Sequence, residues 1–191
     1  MRNSALVLLL LSAPALALGA NQEDLAKLMQ ANQTKTAHLD LSNADLRNYS
    51  FIPGKIDLQK ANLSHANLSG VDLSKMNLGG ADLSFADLSN AKLNQVNLAD
   101  ANLDHANLTS AQLLQTDLSR TNLNFANLTQ ANLQQAILTK ANLNCANLNQ
   151  ADLTRSNFTE ATISGTTFIN TITTDIVGYE SVVDTKVSCA G

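Results

Sequence analysis

Three histidines, His38, His65 and His105, and two cysteines, Cys145 and Cys189, are the side chains of this chain best suited to bind a metal or form a redox pair. Zinc ligands must converge on one ion at about 2 Å, so these residues matter only if the fold brings them together. Other chemistry is sparse. No nucleophile elbow, no phosphate-binding glycine loop and no His-rich metal spacing occurs. Aspartates and glutamates are scattered and form no evident facing pair. These absences argue against an enzyme and imply no cofactor. What the histidines and cysteines can do depends on the elements that carry them.

Those elements are repetitive. From Leu58 to Leu153 every fifth residue is leucine, twenty times in succession, and Phe158, Ile163 and Phe168 continue the phase. A small residue, usually Ala, stands two positions earlier, with Asn or Asp between, as in Ala61-Asn62-Leu63-Ser64-His65. In an α-helix a step of five leaves an offset of about 140°, which would scatter the leucines over every face. In a flat strand an odd period sends successive leucines to opposite faces. A path that bends once per five residues instead points every leucine inward. Ala and Leu then face the core, Asn or Asp faces out, and the last two residues turn the corner.

The exceptions fix the number of sides. Ile56, Met76 and Val96 are bulky residues at the normally small inward position and lie twenty apart, with only Val71 outside their column. The corner residues form columns on the same period. One reads His65, Phe85, His105, Phe125, Cys145, and another Lys75, Gln95, Gln115, Gln135, Arg155. A third reads Gly70, Asn90, Ser110, Gln130, Gln150. The two phenylalanines are forty apart, which excludes coils of three or five pentads. Four pentads per coil predict an all-β solenoid, a quadrilateral parallel β-helix, right-handed because parallel β connections almost always are. At about 4.8 Å per coil, His65 and His105 lie two coils apart with Phe85 between them. A shared metal site is thereby excluded.

The A-(N/D)-L-x-x unit, repeated over most of residues 39–170, resembles the pentapeptide repeat family. That resemblance implies the same four-sided β-helix. It also implies kinship with signal-bearing members assigned to the periplasm or thylakoid lumen of cyanobacteria.

The flanks read differently. Residues 1–20 carry Arg2, then an apolar run from Ala5 to Leu18 broken by Pro14, with cleavage sites after Ala17 or Ala20. This is the pattern of a secretory signal, too short for a membrane span. It predicts export to a periplasm or thylakoid lumen, or secretion, with no membrane contact after cleavage. Residues 21–38 read as an N-terminal capping helix and linker, with Asn21 as N-cap and Leu25, Leu28 and Met29 as an apolar stripe. At Ile52-Pro53-Gly54 the phase slips by two residues, which reads as a corner loop or bulge. Residues 171–191, with Ile172, Ile176, Val177 and Tyr179, are expected to fold over the far end as a capping tail. An even cysteine count in an exported chain favours a Cys145–Cys189 disulfide pinning that tail to the rod.

Function is bounded, not named. Net charge is −4 with both signs interspersed, which suits neither a nucleic-acid surface nor a strongly acidic mimic. The first hypothesis is a non-catalytic structural or protein-interaction module, a monomer or weak dimer outside the cytoplasm. Its interaction stripe would be His65, Phe85, His105 and Phe125. The alternative is recognition of a repetitive surface, polysaccharide or ice, for which Thr109 and Thr129 form a fragment of an array. A DNA-mimicking gyrase binder, as some family members are, fits less well. Lys60, Lys75, Arg120, Lys140 and Arg155 interrupt the faces, and the export signal removes the chain from gyrase. Thr116, Thr121 and Ser156 fall at inward positions, where their hydroxyls need backbone partners.

Overall fold

A computed structural model describes residues 39–182 and Cys189. The proposed signal at 1–20 and capping helix at 21–38 lie outside the described residues. Within them the chain is a stack of coils joined by parallel bridges, and nearly every bridge links residues twenty apart, as in Asn62–Asp82–Asn102–Asn122–Asn142. Each side of a coil contributes a single bridge and not an extended strand. The cause is local: a corner every five residues leaves only the central three free to pair.

Two sets of hydrogen bonds build this shape. Between coils, the Leu63 N–H donates to the Asp82 carbonyl at 2.6 Å, and the Asp82 N–H to the Ala61 carbonyl at 2.9 Å; the pattern then recurs along the rod. At each corner, the N–H of the next pentad's first residue closes a turn, as Ala66 does onto the Leu63 carbonyl at 3.1 Å. The last residue of the pentad takes a positive φ, 58° at His65 and 53° at Phe125. A closed turn with φ > 0 at its third residue is type II. Most corners hold a residue other than glycine in the left-handed region, a local cost that coil stacking must outweigh.

The core is a set of leucine columns. Leu63, Leu103 and Leu143 are fully buried, and the small inward residues Ala61, Ala101 and Ala141 fill the space beside them. Met76 and Val96 are buried in one column, with Ile56 packed against it. The inward hydroxyls find backbone partners. Thr116 Oγ1 donates to the Leu93 carbonyl at 2.6 Å, Thr121 Oγ1 to Leu98 at 2.9 Å and Ser156 Oγ to Leu153 at 2.7 Å.

The ends depart from the twenty-residue rule. Asp40 pairs with Asn62 and Asp45 with Asn67, twenty-two residues on, so the first coil absorbs the two extra residues. Gly54, at φ 77°, lies in the resulting loop, closed by the Lys55 N–H onto the Ile52 carbonyl. At the far end the coil runs past the expected boundary at 170. Ile172 bridges to Asp152 and Val177 to Asn157. Thr171 and Thr173 replace the apolar inward pair, which hid the last coil from hydrophobic periodicity, yet the backbone ladder persists without them. A single 3₁₀ turn, Tyr179–Ser181, follows. It is held by the Ser181 hydroxyl, which accepts from the Glu160 N–H and donates to the Gly178 carbonyl. Gly178 lies so close to Thr159 that a Cβ there would collide with it.

Candidate functional site

The repeat's left-handed corner residue projects outward at the same angle in every coil, so each corner displays one side chain per rung. On one corner these are rings. Centroids of His65 and Phe85 lie 4.9 Å apart, those of Phe85 and His105 4.8 Å, and those of His105 and Phe125 4.8 Å. The planes are inclined by 4°, 16° and 20°, so the four rings form one stack. Ring faces are spent on each other, and the edges meet solvent; Phe85 remains 49% and Phe125 40% exposed. His105 also places Nδ1 3.0 Å from the Asp104 carboxylate. The two histidines stay on opposite sides of Phe85. Among the described residues, no group of three or more His, Cys, Asp or Glu could hold a metal ion.

The same corner continues into the disulfide. Cys145 is its fifth rung and is joined to Cys189, with Cα atoms 5.5 Å apart. The sixth rung is Gly165, at φ 70°, and the Cys189 sulfur lies 3.8 Å from its carbonyl oxygen. Sequence columns stopped at Cys145 overlook this glycine, although the twenty-residue period points directly at it.

The other three corners use different chemistry. Gln95 Nε2 donates to Gln115 Oε1 at 2.9 Å, and Gln115 Nε2 to Gln135 Oε1 at 2.9 Å. Ser110, Gln130 and Gln150 form a second amide row. On the last corner Arg120 grips Asp100 at 2.6 Å, and Lys140 faces Glu160 at 3.5 Å. The hydrogen bond from Arg120 holds the Asp100 carboxyl below its ordinary range.

Sequence reasoning placed Asn and Asp outward and missed their work. In most pentads the Asn or Asp Oδ1 accepts from the N–H two residues on, as Asn62 does from Ser64 at 3.1 Å and Asp82 from Ser84 at 3.0 Å. This Asx turn satisfies a corner N–H that no neighbouring coil reaches. The two-residue offset from Asn or Asp to a corner residue was the available signal. In three pentads that lack the Asx residue, a corner Asn of the preceding coil substitutes. Asn94 accepts from the Leu114 N–H below Gln112, Asn144 from Ser164 below Thr162, and Asn149 from Ile169 below Thr167.

Asn124 is positioned for the same task, but the Asn144 N–H already bonds to Asn142 Oδ1 at 3.2 Å. Two acceptors compete for one donor, and Asn124 Oδ1 is left buried without a partner among the described residues. A buried unsatisfied acceptor costs about 1–3 kcal/mol. Asn124→Ser, the residue found on this corner at Ser64 and Ser84, is therefore expected to raise stability by about 1 kcal/mol. Urea unfolding measures it; a lowered midpoint would contradict the competition.

The sequence matches the description "Pentapeptide repeats" in eight copies, over residues 56–95, 86–124, 97–135, 116–155 and 136–172. No curated protein matches the chain. Among solved structures, a pentapeptide repeat protein from the cyanobacterium Cyanothece is 28% identical, with a TM-score of 0.46, over 64% of this chain and 90% of that one. A pentapeptide repeat protein from Nostoc is 39% identical, with a TM-score of 0.43, over 47% of this chain and 70% of that one. One from the Arabidopsis thaliana thylakoid lumen is 32% identical, with a TM-score of 0.32, over 50% of this chain and 66% of that one. With repeats matched across more than half of its length, the chain belongs to the pentapeptide repeat family.

Proposed function

We propose that this protein is a non-catalytic interaction rod of an extracytoplasmic compartment, a right-handed coil whose aromatic corner docks a protein partner. The observation that carries this reading is the row His65, Phe85, His105, Phe125, which leaves two phenylalanines 49% and 40% exposed in mid-rod. Exposed apolar strips of this kind mark contacts. Export rests on the apolar run at Ala5–Leu18, and the compartment is a periplasm or thylakoid lumen. The rod acts as a monomer or weak dimer. Among the described residues, no helix is long and apolar enough to cross a membrane.

The repetitive-surface alternative loses its main feature. Thr109 and Thr129 direct their hydroxyls to Asn107 and Asn127, both at 2.7 Å, instead of offering them as a free array.

The test is affinity capture from the exported fraction with the native chain and with Phe85→Ser/Phe125→Ser. Stacked ring pairs contribute about 0.2–1 kcal/mol each, so the variant is expected to fold with a modestly lower melting temperature and to lose its partner. A partner retained in full by the folded variant would sink the docking role and leave the stack as a stiffener.

A further inference from the structure

The rod is electrostatically two-sided. The aromatic corner and its two flanking sides comprise residues 61–70, 81–90, 101–110, 121–130 and 141–150, and their charges are Asp82, Asp87 and Asp104 alone. The first coil adds Asp40, Asp45 and Arg47, and Arg47 is clamped onto Asp45 at 2.6 Å. Every described Lys and Arg beyond Arg47 lies outside these residues, although Lys60, Arg120 and Lys140 stand on the corner that borders the first flanking side. Several of these are paired there, Lys92 with Asp72, Arg120 with Asp100 and Arg155 with Asp175.

The acids of the aromatic half are placed to act with the rings. Asp82 and Asp87 stand on the sides before and after Phe85. Each uses Oδ1 to accept from its own corner N–H and from an Asn of the next coil, Asn102 or Asn107, at 3.0 Å. The second oxygen of each accepts no hydrogen bond among the described residues, and the Asp87 carboxylate interacts electrostatically with Arg47. Asp104 sits beside His105 on the next rung. An apolar ridge is thus bordered by carboxylates, and the cation that reaches them, Arg47 near Asp87, is itself held by Asp45.

We infer that the aromatic corner receives a cationic, apolar-anchored polypeptide segment, in which Lys or Arg flank aliphatic or aromatic side chains. The inference rests on the docking role proposed above and supplies the partner's chemistry. Charge complementarity selects this occupant. A second copy would bring two acidic halves face to face, and a nucleic acid would meet like charge.

The probe is a labelled extended peptide alternating Lys and Leu, titrated against the oxidised protein, with Glu-Leu and Lys-Ser peptides as controls. The Lys-Leu peptide is expected to bind best, and more weakly as salt rises. Asp82→Asn/Asp87→Asn keeps both Oδ1 acceptors and should weaken binding by up to about tenfold, and Phe85→Ser/Phe125→Ser by on the order of tenfold. Asp72→Asn/Asp117→Asn makes the same charge change on the opposite half and should leave affinity within about twofold. No binding of the Lys-Leu peptide, equal binding of the Glu-Leu peptide, or equal loss from the opposite-half variant overturns the inference. Loss through the phenylalanines but not Asp82 and Asp87 overturns the cationic partner and spares the docking role. Loss through the aspartates alone overturns both.

Discussion

Removing the Cys145–Cys189 bond, by reduction or as Cys189→Ser, is expected to lower stability by about 4 kcal/mol, the chain-entropy value for a loop of 44 residues. The loss should concentrate at one end. The bond ties Cys189 back to Cys145, one rung below Gly165 on the same corner, while the Ser181 hydrogen bonds and the fit of Gly178 on Thr159 hold the preceding turn. The terminal coil is also the poorest in buried surface. Ile163, Phe168 and Ile176 are only partly buried, while Ile169, Ile172 and Val177 are exposed. Hydrogen exchange after reduction should therefore accelerate over residues 140–182 and leave mid-rod amides protected. Unchanged exchange there, with an unchanged melting temperature, would show that the bond contributes nothing to the end of the rod.

The second large effect is expected in mid-rod. Leu103→Ala should cost about 2–5 kcal/mol, measured as a shift in the urea midpoint. Leu103 is fully buried between Leu83 above and Leu123 below, both also buried. Its backbone is fixed on both sides, by its N–H on the Asn122 carbonyl and by the Asn102 N–H on Ala81. The coil spacing is set by these ladders, so neighbouring leucines cannot close over the gap. Because each coil contacts only its neighbours, a defect here weakens the coupling between two halves of the rod. A midpoint that does not move would mean that the site collapses freely and the leucine column is not the core.

Much of this molecule was legible because its repeat is shorter than its coil. Leu63 to Leu143 announce inward-facing positions, and the twenty-residue recurrence of Ile56, Met76 and Val96 counts the sides. The ring column followed from the same arithmetic, and so did the separation of His65 from His105. Other features were opaque for physical reasons. Hydrophobic periodicity reports burial, and the Asn and Asp residues act by hydrogen bonding to a corner N–H, which leaves no mark on an apolar pattern. The coil persists to Val177 because backbone pairing tolerates Thr171 and Thr173 in the inward places. Gly165 takes the next rung after Cys145 and meets Cys189 through its backbone carbonyl, which a column chosen for its side chains does not register. The Asn124 conflict needs two coils in view at once, since each asparagine taken alone obeys the pattern.

The positive φ of the corners reaches beyond turn geometry. Among the described residues other than glycine at positive φ, there are charged, amide, aromatic and sulfur-bearing side chains, but no Val, Ile or Thr. Branching at Cβ is what that backbone region resists; the chemistry at the tip is free. Each corner is therefore a register written one letter per coil in an alphabet that shuns branching at Cβ and proline's fixed negative φ. Tandem duplication of a coil lengthens all four registers by one letter, and point substitution rewrites one letter without disturbing the leucine columns. A lineage carrying this fold can thus alter the length of its rod and the message on each corner independently.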